Sequence, residues 1–186
     1  MGSKKVIAVT GMAGSGKSTF VEMGREEGYD SVVMGDVVRE ETARRGLEPT
    51  PRNIGRVMLS LREEEGESVI AKRCIPKIRA AGDVVWIDGV KSLYEVEEFK
   101  RVFSDLVLVA IHASPKTRFK RLFGRKRSDD PESWELFLER DRRELGVGVG
   151  NVIALADYMI VNEGPKGLLR RVFKRFLKEV ICDGKR

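Results

Sequence analysis

Apolar residues fall in short unbroken runs at 6–10, 31–34, 83–88, 106–111 and 158–161. Each run has the length of a strand, and continuous hydrophobicity marks strands buried on both faces. Between the runs, apolar positions recur at helical spacing. They predict helices over 17–27, 36–45, 50–65, 67–81, 93–103, 116–126, 131–145 and 167–180. Gly46 closes the second of these as a C-cap. Thr50-Pro51 opens the third, with Thr as N-cap and Pro at the first helical position. Gly66 stops that helix. Pro76 lies inside the next one, where a missing backbone donor predicts a kink or a break. Gly146, Gly148 and Gly150 predict a flexible interruption. Strands alternating with helices predict one α/β unit over residues 1–186, with a five-stranded parallel sheet covered on both faces.

Composition narrows the class. A chain of 186 residues suits one domain with a sizeable core. With 41% hydrophobic and 34% charged residues, it reads as globular and soluble rather than disordered. Glutamine is absent, and Lys, Arg and Glu are abundant, a bias that fits a hot environment. The net charge of +6 admits nucleic acid or small polyanions as partners. The basic residues crowd between Lys116 and Arg127, which favours a local anion site over a nucleic-acid face. Cys74 and Cys182 stand far apart with no CxxC neighbour, which argues against a metal cluster and for a reduced, cytoplasmic setting. The early apolar run is too short for a signal peptide or membrane span, so no membrane role is expected.

Gly11-Met12-Ala13-Gly14-Ser15-Gly16-Lys17-Ser18 matches GxxxxGK[ST] at every fixed position, between a predicted strand and a predicted helix. The glycines let the backbone curl so that N–H groups converge on phosphate oxygens, and the helix N-terminus adds positive potential. The motif predicts that residues 11–19, through Thr19, hold the phosphates of ATP. Lys17 would reach the β- and γ-phosphates, and the Ser18 hydroxyl would bind Mg²⁺.

Other segments separate the P-loop classes. A guanine reader of NKxD type has no aspartate in Val161-Asn162-Glu163-Gly164, and the acidic strand ends Asp88-Gly89 rather than in the Asp-Glu of an AAA motor. Gly35-Asp36-Val37-Val38-Arg39 resembles the GDxxR segment of adenylate kinase-like nucleotide kinases. Asp88-Gly89-Val90-Lys91 is similar to their DGxPR segment, with lysine in place of arginine. Arg121-Leu122-Phe123-Gly124-Arg125 resembles the start of their lid, Arg127-Ser128-Asp129-Asp130 its RxDD turn, and Arg140 lies near its last arginine. Residues 156–162 resemble the last strand of dephospho-CoA kinases. The whole is most similar to an archaeal, dephospho-CoA-kinase-related family of adenylate kinase-like proteins.

That resemblance implies a three-layer P-loop fold with a helical acceptor-binding insert at 36–80 and a helical lid at 115–150. It implies an ATP- and Mg²⁺-dependent kinase acting on a small nucleotide acceptor, as a monomer or homodimer. Lys17, Arg121, Arg125, Arg127 and Arg140 would act on the transferred phosphate. Asp36, Arg39, Arg52, Asp88 and Lys91 would meet the acceptor, with Asp36 and Asp88 also near Mg²⁺, and Asn162 would join the ATP contacts. The acceptor stays open between a nucleoside monophosphate, favoured by the GDxxR segment, and dephospho-CoA, favoured by the last strand. A nucleotide-dependent switch or RNA-associated ATPase is the reading from a different class.

Overall fold

The computed structural model describes residues 4–125 and 130–182. Five parallel strands form one sheet in the order β2-β3-β1-β4-β5, with β1 (Lys5–Thr10), β2 (Asp30–Val33), β3 (Val84–Val90), β4 (Asp105–His112) and β5 (Tyr158–Val161). The central strand β1 pairs with β3 on one side and β4 on the other, Ile7 facing Trp86 and Val107. Helices α1 (Lys17–Glu26) and α9 (Lys166–Leu177) lie on one face. On the other pack α2 (Met34–Arg44), α3 (Pro51–Glu65), α4 (Val69–Ala80), α5 (Leu93–Val102) and α8 (Val149–Ala154). Helices α6 (Pro115–Arg125) and α7 (Trp134–Val147) rise beside the end of β4.

Alternation along β1 divides the core. Val6 and Ala8 join the apolar cluster under α2–α5, whereas Ile7 and Val9 join Phe20, Trp86, Phe173 and Phe176 under α1 and α9. Successive strand side chains point to opposite faces, which is why both halves of the run are apolar. Trp86 lies against Gly24 of α1, where a Cβ would fall within 3 Å of the indole. The five-stranded parallel sheet and its helical layers stand as expected.

Three local expectations are corrected. Pro76 sits within a continuous α4. It and Lys72 are both exposed, so the carbonyl deprived of its donor meets water. The glycine-rich stretch 146–150 is no flexible break: α7 runs through Gly146, and Gly148, at φ 108°, caps both α7 and α8. Val149 and Val152 then bury completely. Helix α7 begins at Trp134, after a Ser133 N-cap that accepts from the Leu136 N–H, rather than at Pro131. The Thr50 cap and the N1 proline are present as read.

The insert 36–80 is laced by charge. Glu41 of α2 is buried and accepts from Arg44 and Arg45 on its own helix and from Arg73 of α4 at 3.0 Å. Those arginines hold its carboxyl far below the ordinary carboxylate range against the opposing effect of burial. Arg45 also reaches Glu64 of α3 at 2.8 Å, so all three helices share one network.

Candidate active site

The loop between β1 and α1 is shaped by glycines and clamped from outside. Gly11, Gly14 and Gly16 have φ of 141°, 79° and 105°, a region open to glycine and strained for other residues. A Cβ at each would strike the Ile111 carbonyl, the Arg118 carbonyl and the Asn162 amide. The Ser15 carbonyl accepts from Asn162 Nδ2 at 2.8 Å and from Arg121 at 3.4 Å, and the Ala13 carbonyl accepts from Arg118 at 3.2 Å. Carbonyls are thus turned outward onto β5, α6 and their loops, the arrangement that frees amides for an anion. The Ser15 hydroxyl is buried with no protein partner. Lys17 donates to the Met12 carbonyl at 3.2 Å. Burial lowers its pKa, opposed by Glu144 and Asp88.

A cavity of about 440 Å³ opens over this loop, lined by Lys17, Ser18 and Thr19 on one side and by Arg39, Lys91 and Arg140 on the other. Two smaller recesses of about 120 and 150 Å³ share those last three cations. Ile54 and Met58 of α3 wall both recesses, and the buried Arg62–Glu95 pair, 2.6 Å apart, lines the larger. A further depression next to Gly16 and Thr19 runs between Arg121 and the Gly164-Pro165-Lys166 turn.

The sequence-selected residues divide accordingly. Residues 13, 14 and 16–19 line the main cavity together with Arg39, Lys91, Arg121, Arg125 and Arg140. Asp88 is buried at the end of β3, beside Val9, and acts electrostatically on Lys17. Asp36 does not face the loop: it lies in the first turn of α2, binds Arg39 at 2.6 Å, and lines a separate depression near Lys77. Three residues apart on one helix, Asp36 and Arg39 share a face and engage each other. Arg52 is exposed at the start of α3, outside these cavities. Asn162 is buried behind the loop as a brace. Arg125 is paired with Asp130 at 2.5 Å. Arg127 lies outside the described residues. Trp134 stacks on Phe137 with centroids 5.0 Å apart, packing α7 against Phe119 of α6, as a packing role predicts.

Four residues escaped sequence reasoning. Arg118 is buried, binds Asp141 through both terminal nitrogens at 2.8 and 2.6 Å, and lies 4.9 Å from the Phe137 ring centroid. Together they weld α6 and α7 to the P-loop, so the expected lid is anchored at its root. Glu144 of α7 accepts from the Ala13 N–H at 3.2 Å and from Lys91 at 3.3 Å. Glu95 closes a capping box with Ser92 and also accepts from the Lys91 N–H at 2.8 Å. The S-x-x-E spacing at 92–95 could have revealed it. Arg118, Asp141 and Glu144 lie in charge-rich helices with no local signal.

The donor set fits Mg²⁺. Ser18 and Asp88 offer hard oxygen ligands, and among the described residues no group of three His, Cys, Asp or Glu side chains could hold a metal. Mg²⁺ characteristically takes one or two protein oxygens and keeps its waters.

Comparison with known proteins extends the picture over the whole chain. A family model for an AAA domain matches residues 10–137, a class against which the Asp88-Gly89 strand end had argued. A UPF0200 protein from Hyperthermus butylicus is 54% identical, with 96% of both chains covered. Another from Thermococcus onnurineus is 49% identical over 96% of this chain and 99% of the relative. Among solved structures, shikimate kinase from Acinetobacter baumannii superposes with a TM-score of 0.62 at 15% identity, over 98% of this chain and 96% of the other. That similarity is one of fold, the P-loop kinase architecture. No helix among the described residues is long and apolar enough to cross a membrane.

Proposed function

The chain belongs to the UPF0200 family and carries its AAA-type P-loop domain, and from that premise we propose that it transfers the γ-phosphoryl group of ATP to a small, phosphate-bearing nucleotide, most simply a nucleoside monophosphate. One observation carries the reading. The phosphate cavity and the two apolar-walled recesses meet at the same three cations, Arg39, Lys91 and Arg140. Two anions brought to one cationic junction are aligned for in-line transfer, and the protein contributes positioning and charge neutralisation rather than covalent chemistry.

In this reading the triphosphate lies along residues 11–19 with Lys17 at its outer end. The base enters the depression beside Arg121, whose guanidinium offers a planar cationic face. Ser18 and Asp88 would hold Mg²⁺, which supplies neutralisation of phosphate charge. Arg39, Lys91 and Arg140 hold the acceptor phosphate, while Ile54 and Met58 pack its body. The carboxylates near these cations favour a phosphate acceptor over a hydroxyl one. Asp36 is committed to Arg39, and Glu144 to Lys91 and Arg140, so neither is placed as a general base. An acceptor phosphate is already ionised and needs none.

A transfer screen tests this. ATP and Mg²⁺ are offered with each nucleoside monophosphate, dephospho-CoA and RNA 5′ ends, and nucleoside diphosphate is the expected product. Transfer to dephospho-CoA alone, or ATP hydrolysis raised only by RNA, would replace the proposal with that reading.

A further inference from the structure

Glu144 stands one helical turn after Arg140, buried among groups that phosphates are expected to use. Its two oxygens serve opposite walls of the cavity. Oε2 accepts the Ala13 N–H of the P-loop at 3.2 Å, and Oε1 faces Lys91 Nζ at 3.3 Å and Arg140 Nε at 3.5 Å. Lys17 lies close enough to act on the same carboxylate. A P-loop amide and three cations converging on one anionic oxygen pair make the contact set of a bound phosphate.

Anchoring α7 does not account for this placement. Asp141, one residue before the half-turn to Glu144, already fixes the helix through Arg118, and Phe137 packs it apolarly. Nor can the carboxylate stay where it is beside a terminal phosphate, because two anions cannot share one amide and one set of cations. We infer that Glu144 is a positioning residue that holds the place of the transferable phosphate on the Ala13 amide and is exchanged for it when a nucleoside triphosphate binds. The exchange frees Lys91 and Arg140, the cations shared with the acceptor recesses, at the moment the donor is loaded. A diphosphate lacks the group that competes for this position and leaves Glu144 in place. The inference rests on Gly11–Ser18 being a nucleotide phosphate site, and not on which acceptor is used.

The test compares affinities for a non-hydrolysable ATP analogue and for ADP, with Mg²⁺, in the wild-type protein and Glu144→Gln. Glutamine keeps the shape and an oxygen for Ala13 but removes the competing charge. ATP-analogue affinity is expected to rise about tenfold, with ADP changed less than twofold. An equal gain for both nucleotides would reduce Glu144 to background charge, and a loss of analogue affinity would make it an organiser of the cations. Either result overturns the exchange. Lys17→Ala is the control for the underlying reading: if it leaves both nucleotides bound as tightly as in wild type, the P-loop assignment itself fails, whatever Glu144 does. The wild-type Ala13 amide resonance gives a readout that needs no variant to fold. It is expected to move far more with the ATP analogue than with ADP, and equal movement would overturn the inference.

Discussion

Arg118→Met should be among the most damaging single substitutions outside the apolar core, and it should damage nucleotide binding as well as folding. The guanidinium is buried, holds both Asp141 oxygens, donates to the Ala13 and Ala113 carbonyls at 3.2 Å, and lies over Phe137. Methionine fills much of the volume but leaves Asp141 charged and unpaired. Breaking a buried ion pair from one side costs about 3–5 kcal/mol. The Asp141 side chain keeps 12% exposure, so water relieves part of that, and about 3 kcal/mol is the expected cost. For a chain of this size it should lower the melting temperature by about 6–12 °C. Asp141→Asn removes the charge but keeps an acceptor, and should cost about 1–2 kcal/mol. The double variant Arg118→Met with Asp141→Leu replaces the pair by apolar groups, and should be more stable than Arg118→Met alone. Urea unfolding followed by circular dichroism measures all three, and ATP titration should show weaker binding wherever the Ala13 carbonyl loses its clamp. A loss below about 1 kcal/mol in Arg118→Met, with the two sites strictly additive, would refute the weld between α6, α7 and the P-loop.

Other substitutions probe the site directly. Lys17→Ala should abolish phosphoryl transfer while leaving the circular dichroism spectrum unchanged, since Lys17 contributes charge rather than packing. Turnover at the wild-type rate would remove the P-loop from the chemistry. Arg39→Ala should raise the acceptor KM and spare the ATP KM, because a charged hydrogen bond to phosphate is worth about 1.5–3 kcal/mol; equal effects on both would leave Arg39 as scaffold. Acid should destabilise the fold through Glu41 and Glu144, whose carboxyls are held below their ordinary value. A depressed folded-state pKa stabilises above the unfolded value of 4.5 and loses that stability as pH falls. For Glu144, pulled to about 2 by Lys91, Lys17 and Arg140 against its burial, the loss runs to about 3 kcal/mol between pH 4.5 and 2. Urea midpoints measured from pH 7 down to 2 should drop more steeply in wild type than in Glu41→Gln.

Local chemistry was legible and distant pairing was not. The P-loop is written in residues whose roles are local, such as positive-φ glycines and a lysine at the first position of α1, so its sequence alone located it. Apolar runs sufficed for the strands, because a parallel sheet buries both faces. Glycine spacing misled at 146–150, since the same residue that breaks a helix also turns a corner between two, as Gly148 does at φ 108°. The GDxxR spacing was visible, but Asp36 and Arg39 were assigned to different ligands although three residues on a helix set them side by side. Arg118, Asp141 and Glu144 are the clearest limit. Each belongs to a helix full of solvated charges, and only burial against Ala13 sets it apart.

Charge pairing within the cavity bears on the choice between a small acceptor and RNA. Arg39, Lys91, Arg125 and Arg140 each hold a carboxylate, from Asp36, Glu144, Asp130 and Glu144 respectively. A nucleic-acid face gains affinity by releasing counterions from phosphates onto cations that project into solvent. Cations already neutralised inside a concave cavity gain little in that way. A compact polyanion that fills the cavity can replace those carboxylates one for one, which exchanges ion pairs at nearly constant net charge. Nucleotide affinity should therefore fall only gently with added salt, by less than the steep slope expected if Arg39, Lys91, Arg125 and Arg140 all met phosphates from free solution. Measuring ATP dissociation constants from 50 to 500 mM KCl decides it. A steep log–log slope, matched by tight RNA binding with the same dependence, would move the function to nucleic acid and leave the internal carboxylates without a role in exchange.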